Sequence, residues 1–312
     1  MNNSTGRSYD GALDALRLIK SSKDDAVILE LGRVSRDPDE SELGGIQAGS
    51  SEQNAALLAS GLAFGGNRVF IWAPGSPSFV GCSYEQIRAS VAIPNLKVVI
   101  LSSHDWTTLD HDGAVGLMWE DIALMRVMPN MAVLVPSDRN SAYALTRTLA
   151  DHDGPAYVRL SAAVTHEIYE YGDSDFAVGG ARLLTEGDGV TIVSCGVMVK
   201  EALESAKILR QQGIEAEVID CYSIKPFPER MLVASVRRTG CCVVAEKHIN
   251  AAGLYGAVTE CLARNYTVPV RSVAIAGNFA QSGAPEEIQE YYGLTHREIV
   301  HNVVQVWAMR RR

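Results

Sequence analysis

The sequence lacks several features that mark large classes of protein. No apolar stretch in its 312 residues approaches the ~20 that a membrane-spanning helix needs. Met1–Asp10 has no apolar segment of the kind found in signal peptides. The net charge is −9 without blocks of like charge, which argues against a surface for nucleic acid or for an anionic membrane. We therefore expect neither nucleic acid nor a membrane among its partners.

The six cysteines form no C-x-x-C pair, the spacing typical of redox and zinc sites. Most of them lie in apolar runs such as Val190–Cys195 and Cys241–Ala245, where a thiol packs as a small hydrophobic group. Free thiols indicate a reducing compartment, so a cytoplasmic protein is the simplest interpretation.

Short apolar runs alternate with helical segments along the chain, which is long enough for two α/β domains. The runs lack polar alternation and therefore predict parallel strands buried on both faces. They are Val27–Leu31, Val69–Ala73, Val98–Leu101, Val133–Val135, Ala156–Leu160, Val190–Ser194, Ala216–Asp220, Cys242–Ala245 and Val270–Ile275. A polar, irregular stretch interrupts them. We predict two doubly wound domains, 1–165 and 181–312, joined by a linker at 166–180.

Glu52 opens a helix whose other residues, through Phe64, are mostly small or apolar. A serine cap followed by a first-turn glutamate is also an ordinary helix start. However, a helix that is apolar on nearly every face is buried, so its first turn is expected in an interior or an interface. A carboxyl group there is costly unless it is paired or protonated. This makes Glu52 a candidate for proton transfer.

A second polar cluster follows the strand Val98–Leu101 and contains His104, His111 and Asp112. The carboxyl ends of strands are where open α/β sheets bind ligands. A metal site and a plain surface loop are the alternatives, and the spacing matches no common zinc signature. Gly187–Gly189 spells GDG, but a strand follows it directly, so we interpret it as a turn. The stretch Val244–Gly256 could form either a site or a domain contact.

Taken together, these segments resemble the transketolase family from about Gly11 to Val304. The segment Ser50–Asn54 with the helix after it resembles the family's I-A-E-Q-N motif. Further matches follow in order: Tyr84–Arg88, Asn95-Leu96, Glu120–Arg126, Pro129–Met131, Gly154–Arg159, Val190–Gly196, Glu246–His248, Ser282–Glu286 and Tyr292–Thr295.

The resemblance implies the pyrimidine-binding and C-terminal domains of a thiamine-diphosphate-dependent enzyme, without its pyrophosphate-binding domain. It therefore implies a partner subunit that carries a GDG motif for the diphosphate and for Mg²⁺ (or Ca²⁺). The assembly would be a heterotetramer of two copies of each chain (α₂β₂). Its activity would be transfer of a two-carbon ketol unit from a ketose or α-keto donor to an aldehyde.

Residue by residue, the resemblance implies that Glu52 hydrogen-bonds the pyrimidine N1′ of the cofactor. Gln53, which follows it in the motif, is also expected to bind the cofactor, and Phe79 is the aromatic residue nearest the position that stacks on the pyrimidine. His104 and Asp112 fall on positions that contact hydroxyl groups of the donor sugar, so we expect His104 to be catalytic and both, together with His111, to bind substrate.

The sequence departs from the family where substrate is bound. A second family histidine falls on Gly116, and His111 replaces a glutamate. A phosphate-binding arginine falls on Ala162, and another is displaced to the vicinity of Arg7. Loss of such arginines removes the bidentate contacts that phosphate recognition relies on. We expect a substrate other than an ordinary sugar phosphate, such as an intermediate of specialised metabolism. A β subunit of a 2-oxo-acid dehydrogenase and a non-catalytic scaffold are the alternatives.

Overall fold

The computed structural model describes residues 5–32, 43–73, 79–103 and 118–310. Within these ranges, every helix is too short or too polar to span a lipid bilayer. All six cysteines lie in the described ranges and are free thiols.

The first sheet contains seven strands among the described residues, and all neighbours are parallel except the first pair. In spatial order they are β12 (Ser223–Lys225), β6 (Ala132–Leu134), β7 (Ala156–Leu160), β5 (Val98–Ser103), β4 (Arg68–Ala73), β2 (Ala26–Leu31) and β3 (Ile46–Gly49).

Helices cover both faces of this sheet. One face carries α1 (Ser8–Ser22) and α6 (Arg139–Leu149), and the other carries α2 (Glu52–Phe64). Successive strand residues point to opposite faces, so Ile71 and Trp72 are buried in separate clusters. The remaining elements before residue 167 are β1 (Thr5–Gly6), α3 (Phe79–Cys82), α4 (Tyr84–Ile87), a π-helix (Arg88–Ala92), α5 (Asp121–Val127) and β8 (Thr165–His166).

The second sheet has five strands in the described part of the chain, and all neighbouring strands are parallel except the last pair in the order given next. In spatial order they are β14 (Val270–Ile275), β13 (Cys242–Ile249), β10 (Val190–Ser194), β11 (Ala216–Asp220) and β9 (Arg182–Thr185). Its helices are α7 (Met198–Gln211), α8 (Glu229–Thr239), α9 (Leu254–Asn265), α10 (Pro285–Tyr291) and α11 (His296–Trp307).

The nine apolar runs predicted as strands all fall on strands, so the two α/β domains are confirmed. The pattern missed the short strands β1, β3, β8, β9 and β12. Strand β12 follows residue 181 in sequence yet joins the first sheet, where Ser223 pairs with Leu134. The two domains therefore share a sheet edge, and one buried cluster contains residues of both. The limits 1–165, 166–180 and 181–312 stay predictions.

Candidate functional site

The predicted site residues follow strands that end at one edge of the first sheet. Strands β2, β4, β5 and β7 are parallel, so their carboxyl ends meet there, and α2 starts after the parallel strand β3. Glu52 and Ser161 therefore lie at this edge. His104, His111 and Asp112 lie outside the described residues, as does Gly116.

Helix α2 has an unusual division of its side chains. Its alanines are buried against the sheet, and Ala55 and Ala59 have no exposed surface. Three of its four large apolar residues point the other way: Leu57 is 48% exposed, Leu58 38% and Phe64 80%, whereas Leu62 packs against the buried cluster. An ordinary surface helix places its large apolar residues inward. The described residues therefore do not enclose this face of α2, and its burial in an interface stays a prediction.

Glu52 is the first residue of α2 and is half-buried. Gln53 is exposed, and its Nε2 donates a hydrogen bond to the carbonyl oxygen of Cys82 at 3.0 Å. This bond ties the first turn of α2 to the end of α3. The assignment of both side chains to a cofactor stays a prediction.

Phe79, predicted to stack on the pyrimidine ring, opens α3 and is fully buried. It belongs to the same cluster as the inward alanines of α2. Its position beside α2 agrees with the resemblance. In this arrangement, however, no face of the ring is open, so the stacking role stays a prediction that requires its neighbours to move.

The two positions where the family's arginines are displaced or lost are neighbours in space. Ser8 Oγ accepts a hydrogen bond from Ser161 N at 2.7 Å and donates one to Ser161 O at 3.1 Å. Arg7 precedes Ser8 and is exposed, and Ala162 follows Ser161. The structure thus brings Arg7 to the end of β7, next to the position where Ala162 replaces arginine.

A buried polar network links this edge to the second domain. Arg159 Nε lies 2.9 Å from Asp121 Oδ2, which also accepts a hydrogen bond from Tyr157 Oη at 2.6 Å. Arg159 Nη1 donates to the carbonyl oxygen of Lys247 at 2.6 Å. Burial raises the pKa of the Tyr157 hydroxyl, so it stays protonated as a donor.

The Glu246–His248 segment forms a domain contact. His248 Nε2 accepts a hydrogen bond from Ala123 N at 3.2 Å, which leaves Nδ1 to donate to the Ile249 carbonyl oxygen at 2.7 Å. Glu246 accepts from the N–H groups of Leu254 and Tyr255 at 2.7 and 2.8 Å and so caps α9. Burial raises the pKa of Glu246, an effect that His248 and these N–H groups oppose.

Asp220 is a third buried acid at the domain junction. It ends β11 and accepts hydrogen bonds from Ser137 Oγ at 2.6 Å and from Tyr169 Oη at 2.7 Å. Burial raises the pKa of Asp220 to about 7, although both hydrogen bonds act to lower it. Sequence reasoning missed this residue because its partners are distant along the chain.

The GDG sequence is a bend directly before β10, as predicted. Gly189 N donates to the Glu215 carbonyl oxygen at 2.8 Å, so this N–H group is already used within the fold. Among the described residues, no three His, Cys, Asp or Glu side chains are grouped so that they could hold a metal ion.

Comparison with known proteins decides the family. A family model described as the transketolase pyrimidine binding domain matches residues 32–165, and one described as the transketolase C-terminal domain matches residues 179–299. This chain belongs to the transketolase family. Membership implies thiamine diphosphate as cofactor.

Several relatives of this transketolase-family chain are subunits. The 6-deoxy-6-sulfo-D-fructose transketolase subunit SqwH of Clostridium sp. (strain MSTE9) is 35% identical over 90% of this chain and 87% of that protein. A subunit of the apulose-4-phosphate transketolase of Phocaeicola vulgatus is 32% identical over 83% of each sequence. A solved split-gene transketolase, described as an inactive β₄ tetramer, superposes with a TM-score of 0.89 at 33% identity, covering 98% of this chain and 99% of that one.

Proposed function

We propose that this chain is the C-terminal subunit of a two-chain transketolase-like enzyme, active only with a partner that supplies the pyrophosphate domain. The observation that carries the proposal is the exposed apolar surface of α2, formed by Leu57, Leu58 and Phe64. Glu52 lies at the start of the same helix. Full burial of a leucine or phenylalanine contributes about 1.5–3 kcal/mol, so such a surface indicates an interface that a partner covers.

Gly61 supports the same interface. It lies inside α2 on the open side, and apart from its own chain neighbours and helical backbone no atom of the described residues comes within 4 Å of where a Cβ would be. Glycine inside a helix costs about 1 kcal/mol relative to alanine. The chain's own packing does not require this glycine, whereas a closely approaching partner backbone does.

The described residues fit the pyrimidine half of thiamine diphosphate but not its diphosphate half. Glu52 begins a helix on the face that a partner covers, where a carboxyl group can exchange a proton with a bound ring. For the diphosphate, the described ranges offer no metal-ligand cluster, and the GDG bend is used in the fold. We therefore assign the diphosphate and Mg²⁺ (or Ca²⁺) to the partner.

When bound, thiamine diphosphate supplies the electron sink for moving a two-carbon unit from a keto donor to an aldehyde. The role of Glu52 is to hold a proton at the pyrimidine N1′. In the separate chain this carboxyl group is half-exposed to water. Covering α2 would remove that water, which strengthens the interaction of Glu52 with the ring. Assembly and proton transfer are therefore coupled.

For the substrate, we propose that the donor or acceptor differs from an ordinary sugar phosphate in the group farthest from the reacting carbon. This group is not bound by two arginines, as the phosphate of a sugar phosphate would be. Ala162 contributes no charge at the end of β7, while Arg7 beside it keeps one guanidinium there. One arginine gives weaker and less directional phosphate binding than two. The sulfonated and phosphorylated sugars in the relatives' names show that related subunits serve different substrates.

Reconstitution tests the function. The chain is mixed with the GDG-containing subunit of the same organism, thiamine diphosphate, Mg²⁺ and a panel of keto donors and aldehydes. We expect two-carbon transfer only when both chains are present. Release of CO₂ from 2-oxo acids without aldehyde transfer would indicate the dehydrogenase alternative, and assembly without any turnover would indicate a scaffold.

A further inference from the structure

The end of β13, in the second domain, caps a short helix of the first domain. Helix α5 has only seven residues, and in the described part of the chain the side chain of Glu120, which precedes it, makes no capping hydrogen bond. The first N–H groups of a helix need acceptors from outside the helix. His248, fully buried in β13, supplies one, because its Nε2 accepts a hydrogen bond from Ala123 N at 3.2 Å. A residue 125 positions further along the chain therefore completes the start of α5.

The second domain also holds the residues just before α5. The carbonyl oxygen of Trp119 accepts a hydrogen bond from Ile249 N, next to His248, at 3.1 Å. The Trp119 side chain is buried in a cluster formed mainly by residues of the second domain. Its ring meets that of Tyr292 edge to face, with the centroids 4.7 Å apart. The segment Met118–Ala123 is therefore anchored on the second domain, although its sequence belongs to the first.

The same segment packs against α3, which is joined to the start of α2. A Cβ at Gly81 in α3 would lie 2.6 Å from Cε of Met118 and 3.1 Å from its Sδ, so this glycine permits the close contact. The hydrogen bond from Gln53 Nε2 to the carbonyl oxygen of Cys82 then links α3 to the first turn of α2. An unbroken series of contacts leads from the end of β13 to the helix start that carries the candidate site.

We propose that His248 is a positioning residue for the reaction, which through Met118–Ala123 and α3 fixes the first turn of α2 and thereby Glu52. The kinetic consequence rests on the proposed function, in which Glu52 holds a proton of the cofactor, whereas the mechanical link does not. A misplacement of about 1 Å in a reacting group can lower a rate about a hundredfold. The second domain thus has a part in catalysis without contacting the cofactor itself.

Amide hydrogen exchange of the separate full-length chain tests the link without any catalysis. His248→Asn is too short to accept from Ala123 N, whereas His248→Gln keeps an acceptor of suitable reach. In the asparagine variant we expect exchange at least about tenfold faster over residues 119–124 and at Ala55 N, the group that donates to Ser51 O at the start of α2. The glutamine variant should exchange close to wild type. Unchanged exchange at the start of α2 in the folded asparagine variant would overturn the proposal.

Thr239→Val is the matched control for a loss of stability alone. Thr239 is buried in the same domain, and its hydroxyl group lies 2.7 Å from that of Thr191 near the amino end of β10, away from the end of β13. This variant should lower the free energy of unfolding without faster exchange at the start of α2. Equal acceleration in both variants would show a general loosening and would also overturn the proposal. If His248→Asn fails to fold, as judged by circular dichroism, His248→Leu replaces it, because leucine removes the acceptor without burying a polar group.

Kinetics of the reconstituted complex provide the second readout. At a temperature where every variant is folded, His248→Asn should lower kcat at least about tenfold. The KM for the keto donor and the Kd for the partner should stay close to wild type, because Glu52 acts in the chemical step. His248→Gln and Thr239→Val should keep kcat. An undiminished kcat in His248→Asn would contradict the proposal. A wild-type complex without turnover would instead contradict the proposed function, and the exchange result would still decide on His248.

Discussion

Arg159 and Asp121 form an ion pair in the interior of the protein, with side chains that expose only 7% and 0% of their surface. Arg159 lies in β7, and Asp121 begins α5, so the pair fixes this helix against the sheet. Arg159 also binds the backbone of Lys247 in β13. A single guanidinium thus connects the edge that carries the candidate site to the second domain.

Breaking this pair should destabilise the whole chain. Asp121→Asn leaves the Arg159 guanidinium buried without its counter-charge, which typically costs about 3–5 kcal/mol. The free energy of unfolding, measured by urea titration, should fall by this order.

The matched control is Glu85→Gln, which breaks the exposed Glu85–Arg88 pair. Exposed pairs contribute at most about 1 kcal/mol, so this variant should unfold close to wild type. If the free energy of unfolding fell equally in the two variants, the buried pair would stabilise the fold no more than an exposed pair does.

Asp220 should make stability depend on pH. Its pKa is raised from 3.8 to about 7 in the folded protein, so the folded state binds a proton more tightly than the unfolded state. The resulting stabilisation is complete below pH 3.8 and is lost as the pH rises through about 7. Such a shift is equivalent to about 4 kcal/mol.

Asp220→Asn keeps an oxygen for Ser137 and Tyr169 but cannot ionise. The free energy of unfolding, measured with urea from pH 4 to pH 8, should therefore decline less for this variant than for wild type. Asp175→Asn, at an acid whose side chain is 80% exposed, is the control and should follow wild type. Identical pH profiles for wild type and Asp220→Asn would rule out the raised pKa.

Gly61→Ala should act in opposite directions on the separate chain and on the complex. Outside its own helix the added Cβ meets no atom of the described residues within 4 Å, and alanine favours the helix, so the Tm of the separate chain should rise. The same methyl group should keep the partner's backbone away and weaken assembly by at least about tenfold, measured as Kd by titration of the partner.

Gly256→Ala on α9 is the matched helix-glycine control, because its Cβ would meet only the flexible ends of two side chains, Arg126 at 3.4 Å and Glu260 at 3.9 Å. It should not affect assembly. Undiminished partner affinity in Gly61→Ala would place the interface elsewhere.

Ala162→Arg should restore phosphate recognition. The new guanidinium would stand beside Arg7 at the end of β7, because Ser8 and Ser161 hold these segments together. In the reconstituted enzyme, kcat/KM for xylulose 5-phosphate with ribose 5-phosphate should rise by about tenfold or more. Ala163→Arg controls for added charge. If wild type already used these sugar phosphates as fast as a housekeeping transketolase, the proposed substrate difference would be wrong.

Much of the fold could be predicted because buried parallel strands are apolar on both faces. Val190–Ser194 and Ala216–Asp220 were predicted to the residue for this reason. Strand β12 could not be predicted, because three residues become a strand only by pairing with β6. The short edge strand β3 has Ile46 46% exposed and therefore no buried pattern to detect.

The candidate site, like the fold, could be predicted only in part. Glu52 could be selected because a carboxyl group at the start of an apolar helix needs an explanation. The direction of the large side chains of this helix could not be predicted, because only the packed structure shows that Ala55 points inward while Leu57 points outward. The pairing of Asp121 with Arg159 joins residues far apart in sequence, although an arginine within an apolar strand already required a buried partner.

The most direct test of the central claim compares Glu52→Gln with wild type in the reconstituted complex. Glutamine matches glutamate in shape, so the variant should bind the partner with unchanged affinity. It cannot hold a proton as glutamate does, so turnover should fall at least about a thousandfold. Glu85→Gln, at an exposed glutamate of α4, should keep full activity. Full turnover by the Glu52→Gln complex would contradict the account, because the chain would then not supply the proton-handling residue of the enzyme.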